Sequence, residues 1–406
     1  MKVKLIVLIV LPAIFISCIS KTEPGSNPEI QELTSPATTN SYYPNLYTDN
    51  TGTLFMSWLE KDNSVYNLRY SVFKKDAWTE PQSIASDSTW FINWADYPSI
   101  IAQNGEPVAA HWLNKVQGGT YAYHVNMALF NENKWEDPFT LHEDNSATEH
   151  GFVSMESISD STFAAVWLDG RQTENRSDHE YMDIDKAMTL RAGIVSNITG
   201  TVNEFLVDDA ICDCCNTSIT QTDRGFMVAY RDRTENEIRD IYTASFIDGV
   251  WNEPKPVHND GWEIAACPVN GPALDAENQT VAVAWFTGAD GTPSVKLAIS
   301  EDLGNSFEEP IILDDKEPAG RVDVVISSQK IWVSWLASHE ENNSLEIRSF
   351  DFDGAQIDSL AIPGLSGSRS LGFPQISEYK DGLLVAYTDV SGENPVVRTF
   401  MLEKGS

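Results

Sequence analysis

A short strand ending in an aromatic residue recurs seven times along this chain. Phe55-Met56-Ser57-Trp58 is followed by Ala109-Ala110-His111-Trp112, Ala164-Ala165-Val166-Trp167 and Met227-Val228-Ala229-Tyr230. Val283-Ala284-Trp285, Val333-Ser334-Trp335 and Val385-Ala386-Tyr387 complete the series, with successive aromatic residues 50 to 63 positions apart. No long segment carries a helical period. The runs are short, rich in β-branched and aromatic residues, and bounded by turn residues, so the chain reads as all-β. A unit of this length cannot bury its apolar face alone. It must stack on its neighbours, which is the logic of a β-propeller.

Each unit has further order. A first strand precedes the aromatic-ended one, as in Tyr97-Pro98-Ser99-Ile100 and Phe373-Pro374-Gln375-Ile376. A third strand follows, then a turn with a nearby Trp, as in Lys75-Asp76-Ala77-Trp78 and Asp248-Gly249-Val250-Trp251. The expected fold is a propeller of four-stranded blades, seven in number, with six as the alternative if one unit is degenerate. The last unit ends soon after Phe400 without a fourth strand. The segment from Glu29 to Leu33 is expected to supply it, closing the ring and removing exposed edges.

The N-terminus sets the expected compartment. Lys2 and Lys4 precede an apolar run from Leu5 to Ile16, which reads as a secretory signal too short for a comfortable membrane span. Phe15-Ile16-Ser17-Cys18 resembles a bacterial lipobox, in which Cys18 would carry lipid. The expected organisation is a lipoprotein signal over 1–18, a flexible tether over 19–28 and one propeller domain over 29–406. The expected location is the bacterial cell envelope, anchored by lipid, with the outer membrane as the site. Net charge is -33, from 60 acidic and 27 basic residues, which argues against nucleic acid as a partner.

With Cys18 assigned to lipid, Cys212, Cys214, Cys215 and Cys267 remain. An oxidising compartment permits disulfides among them. The same four sulfurs would also make a soft site for copper or zinc. A redox-active thiol is the third reading. The spacing leaves all three open.

In a propeller, the loops between second and third strands share a face with the inter-blade connections. Arg171, Arg191, Arg231, Arg233, Arg239 and Arg321 belong to units three to six and are expected to converge there as binders of an anionic ligand. Asp169, Asp232 and Asp323 are the candidate acids or bases, with Tyr181 and Tyr230 beside them. Trp262 is a candidate sugar platform, with packing between blades as its structural alternative. His150 and His258 read as loop histidines satisfied by hydrogen bonds, and salt bridges to neighbouring acids are the alternative for each arginine.

Ser300-Glu301-Asp302-Leu303-Gly304-Asn305-Ser306-Phe307 matches the Asp-box pattern of sialidases and related propellers. With Asp169-Gly170-Arg171, Cys212-Asp213-Cys214-Cys215, Tyr230-Arg231-Asp232-Arg233, Cys267-Pro268-Val269-Asn270-Gly271-Pro272 and Gly320-Arg321-Val322-Asp323, the chain resembles the sialidase-superfamily propellers over roughly residues 40–400. It is most similar to bacterial secreted proteins described as exo-α-sialidase-like. The resemblance implies three arginines gripping a substrate carboxylate, an Asp acid/base and a Tyr nucleophile. Ser41-Tyr42-Tyr43-Pro44-Asn45 departs from it, since the family places an arginine there. The expected function is binding or hydrolysis of an anionic glycan through the arginine-rich face. The alternative is a non-enzymatic copper- or zinc-binding lipoprotein.

Overall fold

The structure is a computed structural model that describes residues 29–403, apart from 178, 179, 181, 182, 339–342 and 381. The expected signal with Cys18, the tether, and Tyr181 lie outside the described residues. Seven antiparallel blades form a ring, so the six-blade alternative is not realised. Their first strands are Ser41–Thr48, Ser99–Gln103, His150–Ser159, Ser218–Thr222, Ala273–Glu277, Gly320–Ser327 and Gln375–Tyr379. Each touches the first strand of the blade on either side, so together they line a central channel. In blades 1, 2 and 4 the fourth strand is broken into two short pieces that pair with the third.

The ring closes as the chain ends predict. Glu29–Leu33 pairs antiparallel with Val396–Glu403, the third strand of blade 7, and becomes that blade's fourth strand. Neither strand is left with an open ladder on that side.

The core is distributed between blades. Ala284, Val295 and Leu297 of blade 5 pack on Val324, Ile331 and Val333 of blade 6, and comparable clusters fill the other six junctions. All seven recurring aromatic residues are buried. Each such side chain contributes about 1.5–3 kcal/mol by leaving water. Five of their polar tips find acids: Trp58 Nε1 donates to Glu60, Trp167 to Asp169, Trp285 to Asp260 and Trp335 to Asp314, at 2.7–3.0 Å. Tyr230 Oη donates to Asp208 in the same way.

A second device ties blade to blade near the channel. Tyr43, Phe152 and Arg321 take positive φ at a bulge where the first strand of their blade begins. Their N–H groups donate to Thr388 Oγ1, Asp96 Oδ1 and Asn270 Oδ1 of a neighbouring unit, at 2.8–2.9 Å. These bonds help hold a conformation that side-chain-bearing residues rarely adopt. Ile326 N and Ile376 N likewise donate to Asp275 and Asp323 at 2.7 and 2.8 Å.

Candidate functional site

The four cysteines come together. Cys212, Cys214 and Cys215 lie in the connection from blade 3 to blade 4, and Cys267 in the connection from blade 4 to blade 5. The Sγ atoms of the first three lie within 4.8 Å of one another, with Cys212 and Cys215 3.1 Å apart. The Cys267 thiol reaches the Cys214 sulfur. Cys212 and Cys215 are buried, and Cys267 is exposed. Backbone bonds fix the frame: Cys212 N donates to Arg231 O, and Arg239 N to Trp262 O.

The charges around the sulfurs are arranged for a thiolate. Burial opposes ionisation of Cys212, but hydrogen bonds from Cys214 and Cys215 and the Arg239 and Arg231 charges pull its pKa well below the ordinary value. The Cys214 thiol is pushed up, mainly by its hydrogen bond to Cys212, and the Cys215 thiol is pushed up by burial. Arg239 Nη1 donates to Cys212 Sγ at 3.5 Å and to Ala266 O at 2.9 Å. Arg231 is 1 % exposed, and its guanidinium donates to the carbonyls of Arg239, Asn270 and Phe286. It makes no ion pair with a carboxylate among the described residues, so the nearby thiolate is its natural counter-charge.

The sulfur spacing suits a soft metal. Zn–S bonds of about 2.3 Å place tetrahedral sulfurs roughly 3.8 Å apart. Cys212 and Cys215, 3.1 Å apart, are closer than that, and no pair among Cys212, Cys214 and Cys215 exceeds 4.8 Å. A covalent sulfur pair would sit at about 2.05 Å.

The arginines do not form the single clamp expected from the sequence. Arg171 and Arg191 both hold Glu204, and Arg171 also grips Asp169 through Nε and Nη2 at 2.7 Å. Arg233 and Arg239 are split across the two oxygens of Glu237 at 2.6 Å. Desolvation makes such internal pairing the usual condition of a buried arginine. Trp262 is 8 % exposed, lies edge-on to Phe286 and carries the Arg231 guanidinium 4.8 Å above its ring. It is therefore packing between blades 4 and 5 and not a sugar platform.

The candidate acids are also spoken for. Burial opposes ionisation of Asp169, but Arg171 holds it down at about 2, so it has no proton to give at neutral pH. Asp323 is the inter-blade acceptor for Ile376, with its pKa pushed up to about 7 by burial. Tyr230 is fully buried and bonded to Asp208, and burial pushes its phenol well up, which removes it as an accessible nucleophile. Asp232 stands in the loop after Tyr230, raised to about 7 by burial and then by Asp208.

Two groups were not singled out from the sequence. Arg369 and Trp94 join Arg321: both guanidiniums face the Trp94 ring, at 4.8 and 5.9 Å. Arg321 is pushed down to about 10 by burial and by Arg369. Neither arginine pairs with a carboxylate among the described residues. The second group is His124, His142 and His150, whose ring nitrogens converge. The run His142 to His150, with Asp144 between, was its only sequence trace, since His124 lies on another strand. His258 bonds Asp260 at 2.8 Å, as a loop histidine should.

No known family's sequence profile matches the chain, and no curated protein matches it. Solved structures share its fold. A Dyadobacter fermentans protein of unknown function aligns at TM-score 0.48 and 11 % identity, over 93 % of this chain and 98 % of that one. The endosialidase of phage phi92 aligns at 0.47 and 8 %, over 94 % and 70 %. The polysaccharide lyase Uly1 aligns at 0.50 and 9 %, over 86 % and 87 %. The lyase Uly1 thus shares this fold, and an identity this low shows the fold alone.

Proposed function

We propose that this protein binds a soft metal ion, Cu(I) or Zn(II), through Cys212, Cys214, Cys215 and Cys267. The observation that carries the reading is the convergence of Cys212, Cys214 and Cys215, with Cys267 against Cys214, beside Arg231, a buried cation with no carboxylate partner among the described residues. Thiolates select Cu(I) and Zn(II) over hard cations. A metal–thiolate centre of this composition carries net negative charge, which the Arg231 and Arg239 guanidiniums offset. The expected lipid anchor at Cys18 would hold the site in the cell envelope. The test is metal analysis and thiol titration on protein purified without oxygen. Stoichiometric copper or zinc is expected, lost in Cys214→Ser. Absence of both metal uptake and free thiols would assign the cluster to disulfides and overturn the reading.

A second reading, an anionic glycan, is favoured by Arg321, Arg369 and Trp94. Two like charges lie against one aromatic ring, and Arg369 is exposed. An anionic sugar group would relieve their repulsion. Nearby, the channel holds a cavity of about 220 Å³ lined by Asn45, Asn216 and Gln375, suited to hydroxyl groups, and by the buried acids Asp96, Glu156 and Asp323. Binding of acidic oligosaccharides to an array, weakened at least about tenfold in Arg369→Ala with an unchanged melt, is the expected result. Equal binding by the variant sinks it.

A further inference from the structure

A second cluster of metal-ligating side chains lies where blade 2 passes to blade 3. His124 is on the third strand of blade 2, Tyr123–Asn131. His142 follows that blade's outer piece, Phe139–Thr140, and His150 opens the first strand of blade 3. One ring nitrogen from each lies within 4.8 Å of those of the other two. The His142 and His150 rings stack at 3.9 Å and 5°, and His124 stands edge-on to both.

Three carbonyls of one short loop set the tautomers. His142 Nδ1 faces Asp144 O at 2.9 Å, His124 Nε2 faces Ser146 O at 2.9 Å, and His150 Nδ1 faces Thr148 O at 3.2 Å. A carbonyl only accepts, so each of these nitrogens carries the ring proton. The opposite nitrogen of each ring is left as a lone pair. This is the arrangement by which second-shell carbonyls present imidazoles to a metal.

Two of those lone pairs have no acceptable partner within the protein. His142 is 4 % exposed, and its Nε2 has no hydrogen bond. His150 is fully buried, and its Nε2 lies 2.9 Å from Asp144 Oδ2, with Asp169 Oδ2 at 3.7 Å. A neutral His150 has one proton for two acceptors. Protonating it would satisfy the Asp144 contact but leave the His142 nitrogen bare. A cation among the three rings would give the empty His142 nitrogen a partner, with Asp144, which also accepts from Ser146, beside it at His150.

We infer that His124, His142 and His150, with Asp144, form a binding site for a divalent transition-metal ion of the zinc or copper(II) class. Imidazole and carboxylate donors suit such ions and differ in kind from the thiol cluster. Zn–N bonds of about 2.0–2.1 Å place tetrahedral ligands roughly 3.3 Å apart, and the three ring nitrogens already lie within 4.8 Å of one another. Asp169, already gripped by Arg171, lies on the same Nε2 side of His150 as Asp144, at 3.7 Å.

The test is titration of chelator-stripped full-length protein with Zn(II), with zinc-edge X-ray absorption to read the donors. In Cys214→Ser, where the thiol centre is lost, a zinc ion with nitrogen and oxygen donors only is expected. Its affinity should fall by at least about 10–100-fold in His142→Ala, the range that loss of an outer-shell partner already produces. Cys214→Ser should retain it, which separates this site from the thiol centre. Should His142→Ala fail to fold by circular dichroism, Asp144→Asn on the more open loop replaces it, with the same loss expected. Zinc bound through sulfur alone, or equal zinc affinity in a folded variant, overturns the inference.

Discussion

At the scale of single residues, the two cysteine-bearing connections meet back to back. Asn216 follows Cys215, and Gly271 lies four residues after Cys267. A Cβ on Gly271 would overlap the backbone O, C and N of Asn216. Glycine is needed there for close approach of two backbones and not for a left-handed turn. Gly271→Ala should push the Cys267 loop away from Cys214. The expected cost is about 1–3 kcal/mol of stability, as for other overpacked sites, with weaker metal binding at the thiols. Calorimetry and competition with a metal chelator read the two effects. An unchanged melt together with unchanged affinity would contradict the packing argument. The arginines teach a related point. Arg231-Asp232-Arg233 reads as three charges on a loop, yet Arg231 turns to carbonyls, Arg233 to Glu237, and Asp232 holds a raised pKa beside Asp208. One-dimensional spacing carries no information about which partner each guanidinium meets.

At the scale of elements, the strand pattern was plain in the sequence and the loops were not. The seven aromatic-ended segments are second strands, because a buried Trp or Tyr with one polar tip fits the middle of a blade. The closing strand Glu29–Leu33 was legible from the missing fourth strand of the last unit. The turn from Ser300 to Phe307 sits between the third and fourth strands of blade 5, where Asp302 accepts from Ser306 N and Oγ at 2.9 and 2.7 Å. The shared face of Cys212 and Cys267 followed from the alternation of strands and connections. The anion clamp failed for the opposite reason. It required six long side chains on different loops to point the same way, and each instead found a closer acid or carbonyl. The histidine cluster escaped because it joins a strand of blade 2 to the edge of blade 3, across a junction that sequence order hides.

At the scale of the whole molecule, the ring buries acids around its channel. Glu156, Asp275 and Asp323 are pushed up by burial to about 8, about 6 and about 7. Their unfolded values are near about 4. The folded state therefore binds more protons than the unfolded state between those limits, and stability falls as pH rises from about 4 toward about 8. A net charge of -33 acts in the same direction, since repulsion among carboxylates grows as they ionise. The thermal midpoint should be several degrees higher at pH 5 than at pH 8. Glu156→Gln keeps an acceptor for Tyr47 and removes the charge, so it should flatten part of that slope. Calorimetry across this range checks both. A midpoint that rises with pH, or an unaltered slope in the variant, would rule the argument out.

The sequence by itself determined the propeller and its closure and favoured seven blades over six, because periodic burial of one aromatic per unit is written locally in every copy. It also placed four cysteines on two successive connections. Only the tertiary structure decided which polar groups are free to act. Burial forces each charge to take the nearest compensating partner, and that choice depends on distances across blade junctions that residue order does not encode.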